Sequence, residues 1–115
     1  MRAITSGEEA ERLAERFLSK KGMRLVTRNF RARTGEIDLI MSKQDTLVFV
    51  EVRLRKNPYF GSGADSVTRA KRRKLINTAH TFLQLNGSAW NNFRFDVVSI
   101  GTRGLDWIPG AFTLD

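Results

Sequence analysis

The sequence predicts an α/β domain in which a central mixed β-sheet is flanked by helices. Segments with helical spacing of apolar residues and short β-favouring runs follow one another in the order α, β, β, β, α, β, with a short further strand at the end. Three consecutive strands argue against a doubly wound parallel sheet. The 115 residues are predicted to form a single domain, 1–115, since two parts would each be too small to bury a core.

The first predicted helix spans residues 6–20, where apolar residues recur on one helical face. Ser6 and Glu9 have the spacing of an N-terminal capping box, and Gly22 is expected to end the helix. Glu11 lies at the border of the apolar face, so we expect its side chain to point toward the surface on which the helix packs.

The second predicted helix spans residues 66–86 and begins with a run of cations. The helical wheel places Lys71 and Arg72 toward the sheet and Arg69, Arg73 and Lys74 more toward solvent. We interpret these side chains, with Arg55 and Lys56 after the third strand, as candidate phosphate contacts. An ordinary solvated helix surface is the alternative.

Strands are predicted at residues 24–31, 36–41, 46–54 and 93–100, and a short edge strand at Trp107-Ile108 next to Pro109. The segment 57–65, which contains Pro58 and two glycines, is predicted to be a loop.

Strand alternation sorts the charges of the second and third strands onto one face. Val48, Val50, Val52 and Leu54 form an apolar face, and Ile37, Leu39 and Met41 form another. Glu36, Asp38, Glu51 and Arg53 then share the opposite side of this strand pair. An antiparallel register in which paired residue numbers sum to 89 places Asp38 across from Glu51, with Gln44-Asp45 as the turn.

Two carboxylates held this close repel unless a cation lies between them or one is protonated. A hard divalent ion such as Mg²⁺ or Mn²⁺ binds to one or two carboxylates and to phosphate oxygens, which suits hydrolysis of phosphodiester bonds. The alternative is an ordinary ion-pair network between Asp38, Glu51 and Arg53 on the strand surface.

Composition indicates which partners, metal ligands and cell compartment are compatible with this chemistry. The net charge of +8, from 20 Lys and Arg against 12 Asp and Glu, favours polyanionic partners such as nucleic acid. The absence of cysteine excludes disulfides and thiolate metal sites. Without an apolar run of about 18 to 20 residues or a signal-peptide core, we expect a cytoplasmic protein with no membrane segment.

Two motifs carry a family resemblance: Gly35-Glu36-Ile37-Asp38-Leu39-Ile40 and Val48-Phe49-Val50-Glu51-Val52-Arg53. They resemble the motifs of the YraN-like bacterial family, which is related to Holliday junction resolvases within the PD-(D/E)XK nuclease superfamily. The likeness extends over nearly the whole chain, at Gly7, Ala10-Glu11, Ala14, Gly22, Asn29, Lys71 and Phe95-Asp96-Val97-Val98.

The resemblance implies a restriction-endonuclease-like αβββαβ core. It implies Asp38 and Glu51 as metal ligands and Glu11 as a third acidic residue from the first helix. Glu36 and Arg53, on the same face of the strand pair, are further catalytic candidates. Position 53 departs from the superfamily pattern, which has lysine there. Arginine stays protonated and cannot act as a general base, although it can hold a phosphate or an attacking water. Lys71 is a candidate for the second cation of the site.

The leading prediction is therefore an Mg²⁺- or Mn²⁺-dependent endonuclease acting on nucleic acid, on DNA rather than RNA, and on branched DNA by analogy with resolvases. One alternative is a nucleic-acid-binding module that has lost turnover, which Arg53 favours. Another is an adaptor for a protein partner. A resolvase-like task favours a two-fold homodimer.

Overall fold

The computed structural model describes residues 6–55, 67–86 and 89–114. Lys56, the predicted loop 57–65 and the predicted helix start at Ser66 lie outside these residues. No helix within the described ranges is long and apolar enough to cross a membrane.

Helix α1 spans Gly7–Lys20, close to its predicted bounds. The hydroxyl of Ser6 accepts a hydrogen bond from the Glu9 amide at 3.1 Å, which confirms the predicted N-cap. Gly22, with φ of +93°, follows the helix and donates its amide hydrogen to the Ser19 carbonyl. Glycine accommodates this left-handed backbone without strain, so the predicted stop is also confirmed.

Helix α2 spans Arg69–Asn86 and begins three residues later than predicted. The Thr68 hydroxyl accepts a hydrogen bond from the Lys71 amide at 3.2 Å and so caps the helix just before its first residue. The sequence does not reveal this cap, because apolar periodicity alone does not distinguish Ser66 from Thr68 as the start.

Five strands form one sheet in the order β1-β2-β3-β4-β5. The strands are β1 (Arg24–Ala32), β2 (Gly35–Lys43), β3 (Thr46–Leu54), β4 (Asn92–Gly101) and β5 (Gly104–Phe112). All neighbours are antiparallel except β3 and β4, which are parallel and are connected through α2. The predicted α/β class and the restriction-endonuclease-like αβββαβ core with a mixed sheet are confirmed.

The fifth strand has nine residues, much longer than the dipeptide predicted around Trp107. Pro109 marks an edge strand, as expected, but does not shorten it. The carboxylate of Asp96 on β4 accepts hydrogen bonds from the Trp107 indole and the Gly110 amide, both at 2.9 Å. Sequence alternation does not reveal this buried link, which joins the middle of β5 to β4.

Both faces of the sheet are buried, each under one helix. On the α1 side, Ala10, Ala14 and Leu18 pack with side chains such as Val48 and Val50. On the α2 side the core comprises Ile37, Ile40, Leu47, Phe49, Val67, Leu75, Ala79, Phe82, Phe95 and Val97. On this side of β3, Leu47 and Phe49 belong to the core, and the charged side chains of Glu51 and Arg53 follow toward the end of the strand.

Candidate functional site

Asp38 lies where β2 separates from β3, while the pairing of β2 with β1 continues past it. The β2–β3 pairs run from Lys43–Thr46 to Leu39–Val50, so the predicted register, in which paired numbers sum to 89, is confirmed. Beyond Leu39 the ladder ends, and Asp38 Oδ2 accepts a hydrogen bond from the Val52 amide at 2.8 Å. A side chain thus takes the place of the next backbone contact.

The regular alternation of β2 also ends at Asp38. Leu39 belongs to the α1-side core, whereas Ile37 belongs to the α2-side core. The prediction that Ile37 and Leu39 share a face was therefore wrong. Its physical cause is local. The ladder to β3 has ended, and Asn29, which faces Asp38 on β1, has a positive φ of 50°, so the pleat is interrupted here although the β1–β2 pairs continue.

Glu51 is buried on the α2 side of β3, with 5% of its surface exposed. Lys71 Nζ of α2 lies 2.8 Å from Glu51 Oε1, and Arg53 Nη1 lies 3.8 Å from the same oxygen. A buried carboxylate needs a partner of opposite charge. The partner in direct contact is the helix lysine.

Asp38 and Glu51 line one open cleft of about 560 Å³ between the sheet and α2. The cleft is also lined by Gly35, Glu36, Thr68, Ala70, Lys71, Lys74 and Leu75. The two motifs and the start of α2 therefore converge on one cleft. The prediction that the carboxylates of both motifs lie on the same side is confirmed.

Burial raises the pKa of Asp38 to about 7, and the negative charge of Glu51 is the next contribution. The charges of Glu11 and Glu36 add to this increase, while the Val52 amide opposes it. Asp38 therefore experiences the field of three other carboxylates. A cation bound nearby would lower the pKa of Asp38 and favour its ionised form.

Glu11 and Glu36 meet on the β1 side of Asp38. Asn29 Nδ2 donates to Glu11 Oε1 and to Glu36 Oε1, both at 3.0 Å. Arg31 Nε donates to the other oxygen of Glu36 at 2.9 Å. Glu11 points toward the sheet, as the helical wheel predicted. Asn29 matches the family pattern, but sequence spacing gives no sign of this double contact.

A family model described as "Uncharacterised protein family UPF0102" matches residues 10–100. The chain belongs to this family. A UPF0102 protein of Methylobacillus flagellatus is 50% identical over 110 residues, covering 93% of this chain and 96% of the relative. One of Saccharophagus degradans is 49% identical over 111 residues, covering 96% and 94%. The prediction of the YraN-like family is thereby confirmed.

The cations predicted to bind phosphate occupy different environments in this UPF0102 chain. Arg69 and Arg73 are exposed, and Lys74 is exposed at the cleft. Arg72 points inward, as predicted, with its Nε donating to the Val67 carbonyl and its guanidinium 5.3 Å from the Phe112 ring centre. Its contacts thus fix α2 against β5.

Arg55 lies just after β3, where its amide donates to the Ile100 carbonyl. Its Nη2 is buried and has no hydrogen-bond partner among the residues that the structure describes. Lys56, the other candidate in this segment, lies outside those residues.

The donor set of the UPF0102 cleft fits a hard cation with few protein ligands. Within the described ranges there is no group of three or more His, Cys, Asp or Glu side chains arranged to hold a metal. Mg²⁺, however, keeps several waters and uses one or two carboxylates. Asp38 and Glu51 can supply those two oxygens. Burial is the main cause of the raised pKa of Asp38, and the repulsion by Glu51 that adds to it is what a cation would relieve.

Proposed function

We propose that this protein is a divalent-cation-dependent nuclease that hydrolyses phosphodiester bonds of nucleic acid, with DNA as the preferred substrate. The observation that carries the proposal is the convergence of Asp38, Glu51 and Lys71 on one open cleft. Two acidic side chains and one ammonium group in an open cleft, with exposed arginines of α2 nearby, suit a phosphodiester better than a neutral substrate.

Asp38 and Glu51 are the proposed ligands of Mg²⁺ or Mn²⁺. The bound cation would activate water and neutralise the charge that develops on the phosphate. Asp38 must be ionised to bind a cation, so the raised pKa makes binding weaker below about pH 7. The Val52 amide fixes Oδ2 of Asp38, which leaves Oδ1 as the oxygen proposed to face the cation.

Lys71 is the proposed counterpart of the lysine that the nuclease pattern has at position 53. Its ammonium group forms an ion pair with Glu51 Oε1 at 2.8 Å, while the Arg53 guanidinium lies 3.8 Å from the same oxygen. An ammonium group there can hold a phosphate oxygen or orient the attacking water. Arg53 supplies a second fixed positive charge to the same substrate phosphate.

The exposed cations of α2 are proposed to hold the substrate backbone. Arg69 and Arg73 are exposed beside Lys71, and Lys74 lines the cleft itself. Cations near the N-terminus of a helix are unfavourable for the helix dipole, whereas phosphates there are favourable. These contacts recognise the backbone and its shape rather than base sequence.

The test is cleavage of labelled single-stranded, duplex, flapped and four-way-junction DNA, and of RNA, with Mg²⁺, Mn²⁺ or chelator. Asp38→Asn and Glu51→Gln are compared with Asp45→Asn, which changes an exposed carboxylate in the β2–β3 turn. We expect metal-dependent cutting by the wild type and by Asp45→Asn, and none by the other two. Equal cutting by all four proteins would reject Asp38 and Glu51 as ligands.

A second candidate function is a nucleic-acid-binding module without turnover, which the arginine at position 53 favours. It predicts binding to the same DNA panel with no product in any metal. The Arg53→Lys variant separates the two candidates, because cutting that appears only in this variant would show a binding module that retains the rest of the site.

A further inference from the structure

Asn29 has a backbone conformation that is unusual inside a strand. Its φ is +50°, and the β1–β2 pairs on either side of it are Arg28–Leu39 and Phe30–Ile37. The residue numbers in each pair sum to 67, so the residue of β2 that faces Asn29 is Asp38. Asparagine tolerates the left-handed region better than other residues with a side chain. The residue type therefore suits this position, directly beside the proposed ligand.

The side-chain amide of Asn29 joins two elements across this position. Its single nitrogen donates to Glu11 of α1 and to Glu36 of β2, at 3.0 Å each. An amide nitrogen carries two hydrogens, so it can satisfy both carboxylates at once. Without it, two like charges would face each other beside Asp38 and would move apart.

We infer that Asn29 is a positioning residue that holds Glu11 and Glu36 beside Asp38, so that both carboxylates orient the cation and its waters. The inference rests on the proposed function. It adds that the side-chain amide of Asn29 fixes the positions of the Glu11 and Glu36 carboxylates. Partners that orient groups around a metal site commonly change metal affinity by about 10- to 100-fold when they are removed.

Asn29→Gly tests the side-chain amide apart from the backbone conformation. Glycine adopts the positive φ without strain but has no side-chain donor. Asn29→Ala removes the side-chain amide and also disfavours the positive φ. The matched control is Asn92→Gly, at an exposed asparagine that pairs with Thr46 at the far end of β3. Mn²⁺ affinity is measured by calorimetry without substrate. We expect about 10- to 100-fold weaker binding for Asn29→Gly and Asn29→Ala, a lower melting temperature for Asn29→Ala than for Asn29→Gly, and wild-type affinity for Asn92→Gly.

A double-mutant cycle tests the contact without any metal. Asn29→Gly is introduced into the wild type and into Glu11→Ala/Glu36→Ala, and urea unfolding is measured for all four proteins. We expect Asn29→Gly to raise the unfolding equilibrium constant about tenfold in the wild type, and to have little effect where both carboxylates are absent. An equal effect in both backgrounds would overturn the positioning role.

The outcomes separate this inference from the proposed function. If Asp38-dependent cleavage is present while Asn29→Gly binds Mn²⁺ like the wild type, the Asn29 inference fails and the proposed function stands. If the wild type neither binds Mn²⁺ nor cleaves, both fail. Asp38-dependent cleavage with weakened Mn²⁺ binding in Asn29→Gly supports both.

Discussion

Lys71 and Glu51 form an ion pair in the cleft, with 2.8 Å between Nζ and Oε1, and the pair joins α2 to β3. The carboxylate side chain is only 6% exposed, whereas the lysine side chain is 38% exposed. The ammonium group can therefore contact both the buried acid and a substrate in the cleft. Because Arg53 is further away, we expect the two cations to differ in their effect on catalysis.

Lys71→Ala is expected to lower kcat about 100-fold, since it removes a charge aimed at the reacting phosphate. Lys74→Ala is the matched control, because Lys74 lines the same cleft and is exposed. It is expected to raise KM modestly and to leave kcat nearly unchanged. The measurement is steady-state cleavage of the best substrate of the panel. Equal losses of kcat in the two variants would contradict a specific role for Lys71.

The raised pKa of Asp38 predicts a pH-dependent stability. A carboxyl group with a pKa of about 7 when folded and 3.8 when unfolded binds its proton more tightly in the folded state. The free energy of unfolding therefore falls as pH rises from about 4 to 7, by up to about 4 kcal/mol from this group. Asp38→Asn removes the effect and can still accept the Val52 hydrogen bond.

Urea unfolding between pH 5 and 8 tests this directly. We expect Asp38→Asn to be more stable than the wild type at pH 8, with the difference shrinking toward pH 5. Asp45→Asn, at an exposed site, is expected to follow the wild type at every pH. A constant difference between Asp38→Asn and the wild type across this range would show that Asp38 has an ordinary pKa.

The sequence predicted the parts of the site that obey local periodicity. The two ends of α1, the order of helices and strands along the chain and the β2–β3 register depend on short-range patterns. They were confirmed, for example at Ser6, Gly22 and the Leu39–Val50 pair. Alternation did not predict the change of face between Ile37 and Leu39, because that change depends on where the β2–β3 ladder ends and on the positive φ of Asn29. The pairing of β2 with its neighbouring strands determines which face each of these side chains occupies.

Contacts between distant elements were also beyond the sequence patterns. The wheel could place Lys71 toward the sheet but could not show which acid it would reach. The amide of Asn29 contacts Glu11 of α1 and Glu36 of β2, which are 18 and 7 residues away in the chain. No periodic signal links positions at such separations, so only the packed fold shows what the Asn29 amide contacts.

The exposed arginines of α2 predict a salt-dependent share of DNA binding. Arg69→Ala/Arg73→Ala is expected to weaken binding to all DNA sequences alike and to lower the salt slope by about 1 for each phosphate that an arginine no longer neutralises. Arg24→Ala is the control, since Arg24 is exposed and pairs with Ser42 at the other end of β2. Binding is measured by fluorescence anisotropy at increasing salt with Ca²⁺. An unchanged slope for the double variant would place the substrate elsewhere.

Substitution of Asp96 is expected to lower the stability of the fold without changing the proposed cation site. Its carboxylate is fully buried, and each oxygen accepts two hydrogen bonds from donors on Arg94, Trp107 and Gly110. In Asp96→Asn the new NH₂ group faces donors whichever way the amide is oriented. We expect a loss of roughly 2–3 kcal/mol in the free energy of unfolding, because buried donors lose their acceptor.

Asp106→Asn, at an exposed aspartate of β5, is the control for Asp96→Asn and is expected to change the free energy of unfolding by less than about 0.5 kcal/mol. Urea unfolding measures both variants. At a temperature low enough for both to remain folded, each should bind Mn²⁺ with wild-type affinity. Weakened Mn²⁺ binding by folded Asp96→Asn would mean that the buried network of β4 and β5 also shapes the cleft at Asp38.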